Sequence, residues 1–135
     1  MRQLISKILT VVLILNLMAS MSVSAREEAM LYIDEDTAGV PVTESGGALM
    51  LAVSELSRLS LSYSYIENGI AVTDGRKTLK LYMESSVVFA GEEAEAYDNS
   101  LYAVDGQVQA VNVRLLCDAF GFGFTETDSG AAITT

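Results

Sequence analysis

Two five-residue stretches set sixty-one residues apart constrain this chain more than anything else in it. Leu59-Ser60-Leu61-Ser62-Tyr63 and Phe120-Gly121-Phe122-Gly123-Phe124 alternate apolar and small residues in the same phase. The same offset carries Gly69 onto Gly130, Val72 onto Ile133 and Thr73 onto Thr134. A shared spacing of this kind is expected of one supersecondary unit used twice. Each copy reads as the end of a helix followed by a β-hairpin. The expected fold class is therefore α+β: antiparallel β-hairpins and a meander packed around two short helices, with an internal helix-plus-hairpin repeat.

The helices are read from spacing. Leu49, Ala52, Val53, Leu56 and Leu59 recur at helical intervals after the Gly46-Gly47 break, which predicts a helix over Ala48 to Ser60. Val113, Leu116, Cys117 and Phe120 fall at i, i+3, i+4 and i+7 and predict a second one, with Gly121 placed to end it. Strands are read from alternation and turn residues. Leu61, Tyr63 and Tyr65 alternate with serines, Asn68-Gly69 turns the chain, and Ile70 to Thr73 returns. Asp74-Gly75 leads to Thr78 to Met83, and Val87 to Ala90 is a further strand. Leu101 to Val104 and Val108 to Val111 flank Asp105-Gly106, and a last hairpin turns through Asp128-Ser129-Gly130. At the start, Met30 to Ile33 reads as a strand and Val40-Pro41-Val42 as its return. The chain's one proline confines that return to an edge or a strand end.

Before all this stands an address. Arg2 and Lys7 precede a nearly unbroken apolar run from Ile8 to Met18, and Val23-Ser24-Ala25 fits the small-residue rule for cleavage before Arg26. The run is well short of the ~20 residues that cross a bilayer as a helix. Residues 1–25 are expected to be a signal peptide, and residues 26–135 a single domain that is secreted or held at the cell wall. No stable membrane insertion is expected after cleavage. Six basic and 18 acidic residues remain beyond Ala25, a net charge of −12. That field repels nucleic acid and favours solubility or a basic partner.

Chemistry is bounded by what is missing. The chain has no histidine, which removes the usual general base and the commonest metal ligand. Cys117 is the one cysteine, so no intramolecular disulfide forms; within its helical stripe it reads as a small core residue. Asp34, Asp36 and Gly39 match three positions of a calcium loop, but Ala38 and Ser45 occupy two ligand positions, so an acidic turn is the better reading. Glu92, Glu93 and Glu95 crowd a turn after Gly91 and read as a solvated hairpin tip. No catalytic residue, cofactor or metal is assigned, and an enzyme is not expected; a carboxylate-pair hydrolase is the least favoured class.

Val111-Asn112-Val113-Arg114-Leu115-Leu116-Cys117-Asp118-Ala119-Phe120-Gly121 resembles the V-P-L-R-x-L-A-E-A-L-G signature of copper amine oxidase N-terminal-like domains, also called stalk domains. Leu79, Leu81 and Met83, then Glu84-Ser85-Ser86, Val87 to Ala90 and Gly91 are similar to that family's strand, turn and strand. The resemblance implies a non-catalytic α+β module of exported bacterial proteins. It implies no copper, because metal chemistry in amine oxidases belongs to another domain and this chain has no imidazole. The expected role is an exported binding or spacer module with a protein or cell-wall partner. The alternative is a secreted acidic regulator or inhibitor of a basic protein.

Overall fold

Turn residues cut the chain into short strands far more often than helices interrupt it. The computed structural model describes residues 29–36 and 38–135; the expected signal peptide, residues 1–25, lies outside them. In chain order the elements are β1 (Ala29–Ile33), β2 (Val40–Ser45), β3 (Ala48–Ala52), a 3₁₀ helix (Val53–Leu59), β4 (Ser62–Ile66), β5 (Gly69–Thr73), β6 (Thr78–Tyr82), β7 (Val87–Ala90), β8 (Glu93–Ala96), β9 (Leu101–Val104), β10 (Gln107–Asn112), α1 (Val113–Phe120), β11 (Gly123–Thr127) and β12 (Gly130–Thr134).

Strands hold 56% of the described residues and the two helical segments are short, so the fold is predominantly β and the α+β expectation is corrected. The first expected helix accounts for the difference. Ala48 to Ala52 is a strand, because Gly46 and Gly47 both take positive φ (61° and 85°) and make a two-residue hairpin turn between β2 and β3. What remains of the helix is the 3₁₀ segment. Val53, Leu56 and Leu59 are its buried residues, spaced by three, and three residues per turn puts them on one face. The expected helix-plus-hairpin repeat is corrected with it. The elements that recur at an offset of sixty-one residues are β2, β3, the 3₁₀ helix, β4 and β5, then β9, β10, α1, β11 and β12. The shared run thus begins a hairpin earlier than expected, and only its second copy contains an α-helix.

A seven-stranded sheet has the order β11-β12-β1-β2-β3-β10-β9, and a five-stranded meander runs β4 to β8 in sequence order. β3 and β10 lie antiparallel at the junction of the two runs, with Leu51 opposite Val111. β1 pairs with β12 in parallel, Leu31 opposite Ala131, and with β2 antiparallel, Leu31 opposite Val40. β2 is therefore interior to its sheet, so of the two places the proline allowed, an edge or a strand end, Pro41 takes the strand end. Pro41 is accommodated because the β3 ladder reaches only as far as Thr43.

One apolar core takes side chains from both sheets and both helical segments. Leu31, Leu51, Leu56, Ile70, Leu79, Leu81 and Leu116 are fully buried, each worth about 1.5–3 kcal/mol of transfer free energy. α1 seats Val113, Leu115, Leu116, Cys117 and Ala119 in that core. Asn112 starts it: the side-chain oxygen accepts from the Leu115 amide at 3.0 Å, and the amide nitrogen donates to the Asn99 carbonyl at 3.0 Å. Asn112 is itself buried, so both bonds are shielded from water. No helix among the described residues is long and apolar enough to cross a membrane.

Candidate functional site

The side chains that sequence chemistry singled out are dispersed by the fold. Asp34 accepts from both the amide (2.9 Å) and the hydroxyl (2.9 Å) of Thr135, fastening the end of the chain beside the β1–β12 pair. Asp36 accepts from the Ala38 amide at 2.9 Å within its own turn. Both carboxylates thus serve local structure. Among the described residues no group of three or more histidine, cysteine, aspartate or glutamate side chains is placed to hold a metal ion. Glu92 lies in the β7–β8 turn, while Glu93 and Glu95 sit on β8, a strand the sequence reading missed because Glu-Ala-Glu-Ala lacks β-branched and aromatic residues.

Cys117 is buried on α1. Burial first, and the neighbouring Asp118 carboxylate second, push its thiol up to about 11 against the pull of Arg114. A thiol held protonated is a poor nucleophile at neutral pH.

The β8 carboxylates border a cleft of about 430 Å³ between β8 and α1, whose lining includes Lys77, Tyr97, Leu115 and Asp118. Lys77 is already engaged there. Its ammonium donates to the Ala119 carbonyl at 2.7 Å, a favourable place for a cation at a helix C-terminus. Burial and the Asp118 charge raise the Tyr97 phenol above its ordinary value. The opposite approach to Lys77 is a tight turn, where the Asp74 carboxylate accepts from the Arg76 and Lys77 amides at 2.8 Å and is held below its usual range. The cleft has an acidic rim, and its lining also includes the apolar Leu79, Ala90, Leu115 and Ala119.

Exposed apolar side chains concentrate instead at the sheet margins. Among the described residues Tyr63, Tyr65, Val87, Tyr102 and Val104 are the exposed large hydrophobic ones, and all but Val87 lie on edge strands. Tyr63 and Tyr65 stand edge to face with centroids 5.6 Å apart on β4, a sheet edge. The Tyr65 hydroxyl donates to the Val108 carbonyl at 3.2 Å. β3 ends opposite Ala110 and does not reach that carbonyl, so the tyrosine supplies the missing donor across the open side of the core. Tyr102 and Val104 lie on β9, the last strand of the larger sheet, at 39% and 42% exposure. The strand alternation of Tyr63 and Tyr65 was legible in the sequence, but their exposure follows from β4 being an edge. That is a property of topology.

No family model, curated protein or solved structure matches the chain.

Proposed function

We infer that the chain is an exported, non-catalytic binding or spacer module that acts at the cell surface or in the extracellular space. The observation that carries this reading is the set of three exposed tyrosines and one valine on edge strands, Tyr63, Tyr65, Tyr102 and Val104. Tyrosine combines a large apolar face with a polar tip and is enriched where proteins bind partners. The signal-like segment and the resemblance to stalk domains add the location and the absence of chemistry. The partner is a protein or a cell-wall component.

Retention of the purified chain on isolated cell wall and surface-protein fractions at physiological salt tests it. Retention that drops in a Tyr63→Ala/Tyr102→Ala double variant is expected. Flow-through from every fraction would overturn the reading.

The acidic-regulator reading draws on the net charge of −12 beyond Ala25 and on the exposed Glu92, Glu93 and Glu95 hairpin. It requires an association rate with a basic partner that falls steeply as salt rises.

A further inference from the structure

The larger sheet closes one of two equivalent edges and leaves the other open. β2 and β9 stand sixty-one residues apart and each pairs on one side with the strand that follows it, β3 or β10. On its other side β2 is covered by β1, whereas β9 has no second neighbour among the described residues. The consequence is visible in burial. Val40 and Val42 on β2 are buried, and the residues that fall on them in β9, Leu101 and Ala103, are only partly so.

The backbone of β9 is equally unfinished. Asn112 donates its amide to the Ser100 carbonyl at 2.9 Å. Antiparallel ladders alternate inward and outward pairs, so Ser100 and Tyr102 face β10 while Leu101 and Ala103 turn their N–H and C=O groups outward. Native edges are commonly blunted by charge, proline or a bulge that twists them away. β8, an edge of the smaller sheet, carries Glu93 and Glu95. β9 reads Leu-Tyr-Ala-Val, with no charge and no proline, and the irregularity of this hairpin lies in β10, between Val108 and Ala110. The β4 and β11 edges do not share its asymmetry, since they correspond to each other and both are free.

We propose that β9 is the docking edge of this module, where an extended segment of a partner protein adds as an antiparallel strand in the place that β1 takes beside β2. The occupant carries apolar side chains opposite Leu101 and Ala103 and a basic residue at each end. The basic ends follow from charge: Asp98 and Asp105 bracket the uncharged strand, no lysine or arginine lies between Asp98 and Asn112, and the chain carries a net charge of −10. Asp98 lies just before the left-handed Asn99 (φ 58°) and Asp105 opens the turn after β9 (φ 53°), so one carboxylate stands beyond each end of the strand. A second copy of this strand would bring its own two carboxylates to the same place. Strand addition of this kind draws affinity from main-chain bonds and selectivity from the flanking side chains. The proposal names the partner of the binding reading above and rests on it.

The test is calorimetry with a seven-residue peptide of alternating valine and threonine bearing lysine at both ends, beside the same peptide with glutamate ends. The lysine peptide should bind about tenfold more tightly, in proportion to two exposed ion pairs exchanged for two repulsions. Hydrogen exchange should then show new protection at the Leu101 and Ala103 amides. Ala103→Pro should abolish binding, because it removes an outward donor while leaving the β9–β10 ladder bonds in place. Asp98→Asn/Asp105→Asn gives a second handle that does not touch the backbone: it should erase the preference between peptides and flatten the salt dependence. Equal binding of both peptides, protection elsewhere than β9, no binding, or a dimer that Ala103→Pro dissolves would each overturn the proposal. If Ala103→Pro loses the peptide yet keeps its retention on cell fractions, β9 is not the surface used there and this proposal alone is overturned. Loss of retention by the unaltered chain overturns the broader reading instead.

Discussion

The 3₁₀ helix and α1 occupy the same place in two runs of five elements, yet they wind differently. Val53-Ser54-Glu55-Leu56-Ser57-Arg58-Leu59 repeats an apolar residue, a serine and a charged residue every three positions. Three residues per turn keeps each kind on its own face, and Glu55 meets Arg58 one turn later in an ion pair. α1 has its apolar positions at intervals of three and four, which only a 3.6-residue turn gathers into one stripe. The ends differ as well. α1 has a side-chain cap from Asn112 and ends at Gly121 with φ 76°, whereas the 3₁₀ helix has Ala52 at its start and Ser60 at φ 60°. One architectural slot thus tolerates two windings, and local sequence period selects between them.

The largest effect is expected where the two runs agree. Gly69 and Gly130 open β5 and β12, and a methyl group on either would fall on a backbone carbonyl, that of Leu81 or of Met30. The neighbouring strand differs, β6 in one case and β1 in the other, but the close approach is common to both. Gly69→Ala and Gly130→Ala should each cost about 3 kcal/mol in denaturant unfolding. A large cost at one position and none at the other would show that the runs are not packed alike.

Next comes the start of the helical segment, where they disagree. Asn112→Ala removes the cap of α1 and leaves the Asn99 carbonyl without its donor, so a loss of about 2 kcal/mol is expected. Ala52 makes no side-chain capping bond, and Ala52→Ser should change stability by about 0.5 kcal/mol or less. At the other end the residues can be exchanged. Ser60→Gly relieves a left-handed backbone and should stabilise by about 1 kcal/mol, while Gly121→Ser should cost about as much, both read from thermal melts.

How much of this was legible follows the same contrast. Asp105-Gly106 is an observed turn, whereas the turns expected at Asn68-Gly69 and Asp128-Ser129-Gly130 fall on Glu67-Asn68 and Asp128-Ser129, with Gly69 and Gly130 already in β5 and β12; the Val113 to Phe120 stripe marks α1, because these are short-range signals. Ala48 to Ser60 misled because Leu49, Ala52, Val53, Leu56 and Leu59 fit a helical template even though a strand and a 3₁₀ turn share them. Gly46-Gly47 signalled a hairpin, and the triplet after it signalled the winding. β3 is paired on both sides, so an apolar run replaces the alternation that normally reveals a strand. The open edge at β9 was not legible at all. Leu101 to Val104 reads as a strand, but whether anything covers it depends on β1, seventy residues earlier, having paired with β2 instead.

The smallest effect concerns one pair of equivalent positions, Leu56 and Cys117, both buried. If the thiol only fills a leucine's place in the core, its protonation should register as a small stability term and nothing else. Its pKa is raised from 9.0 to about 11, so the folded chain holds the proton more tightly than the unfolded one. The contribution is therefore complete well below pH 9, shrinks as pH rises through 9, and is gone above about 11. At pH 9 the loss amounts to about half a kcal/mol, and Cys117→Val should remove that slope between pH 8 and 9.5. The Tyr97 phenol is shifted in the same direction but from 10.0, so it adds its own loss only at higher pH and survives the cysteine substitution. Alkylation at pH 8 should proceed only as fast as the core opens. Fast labelling of the folded chain would place the thiol at the surface and break the equivalence with Leu56.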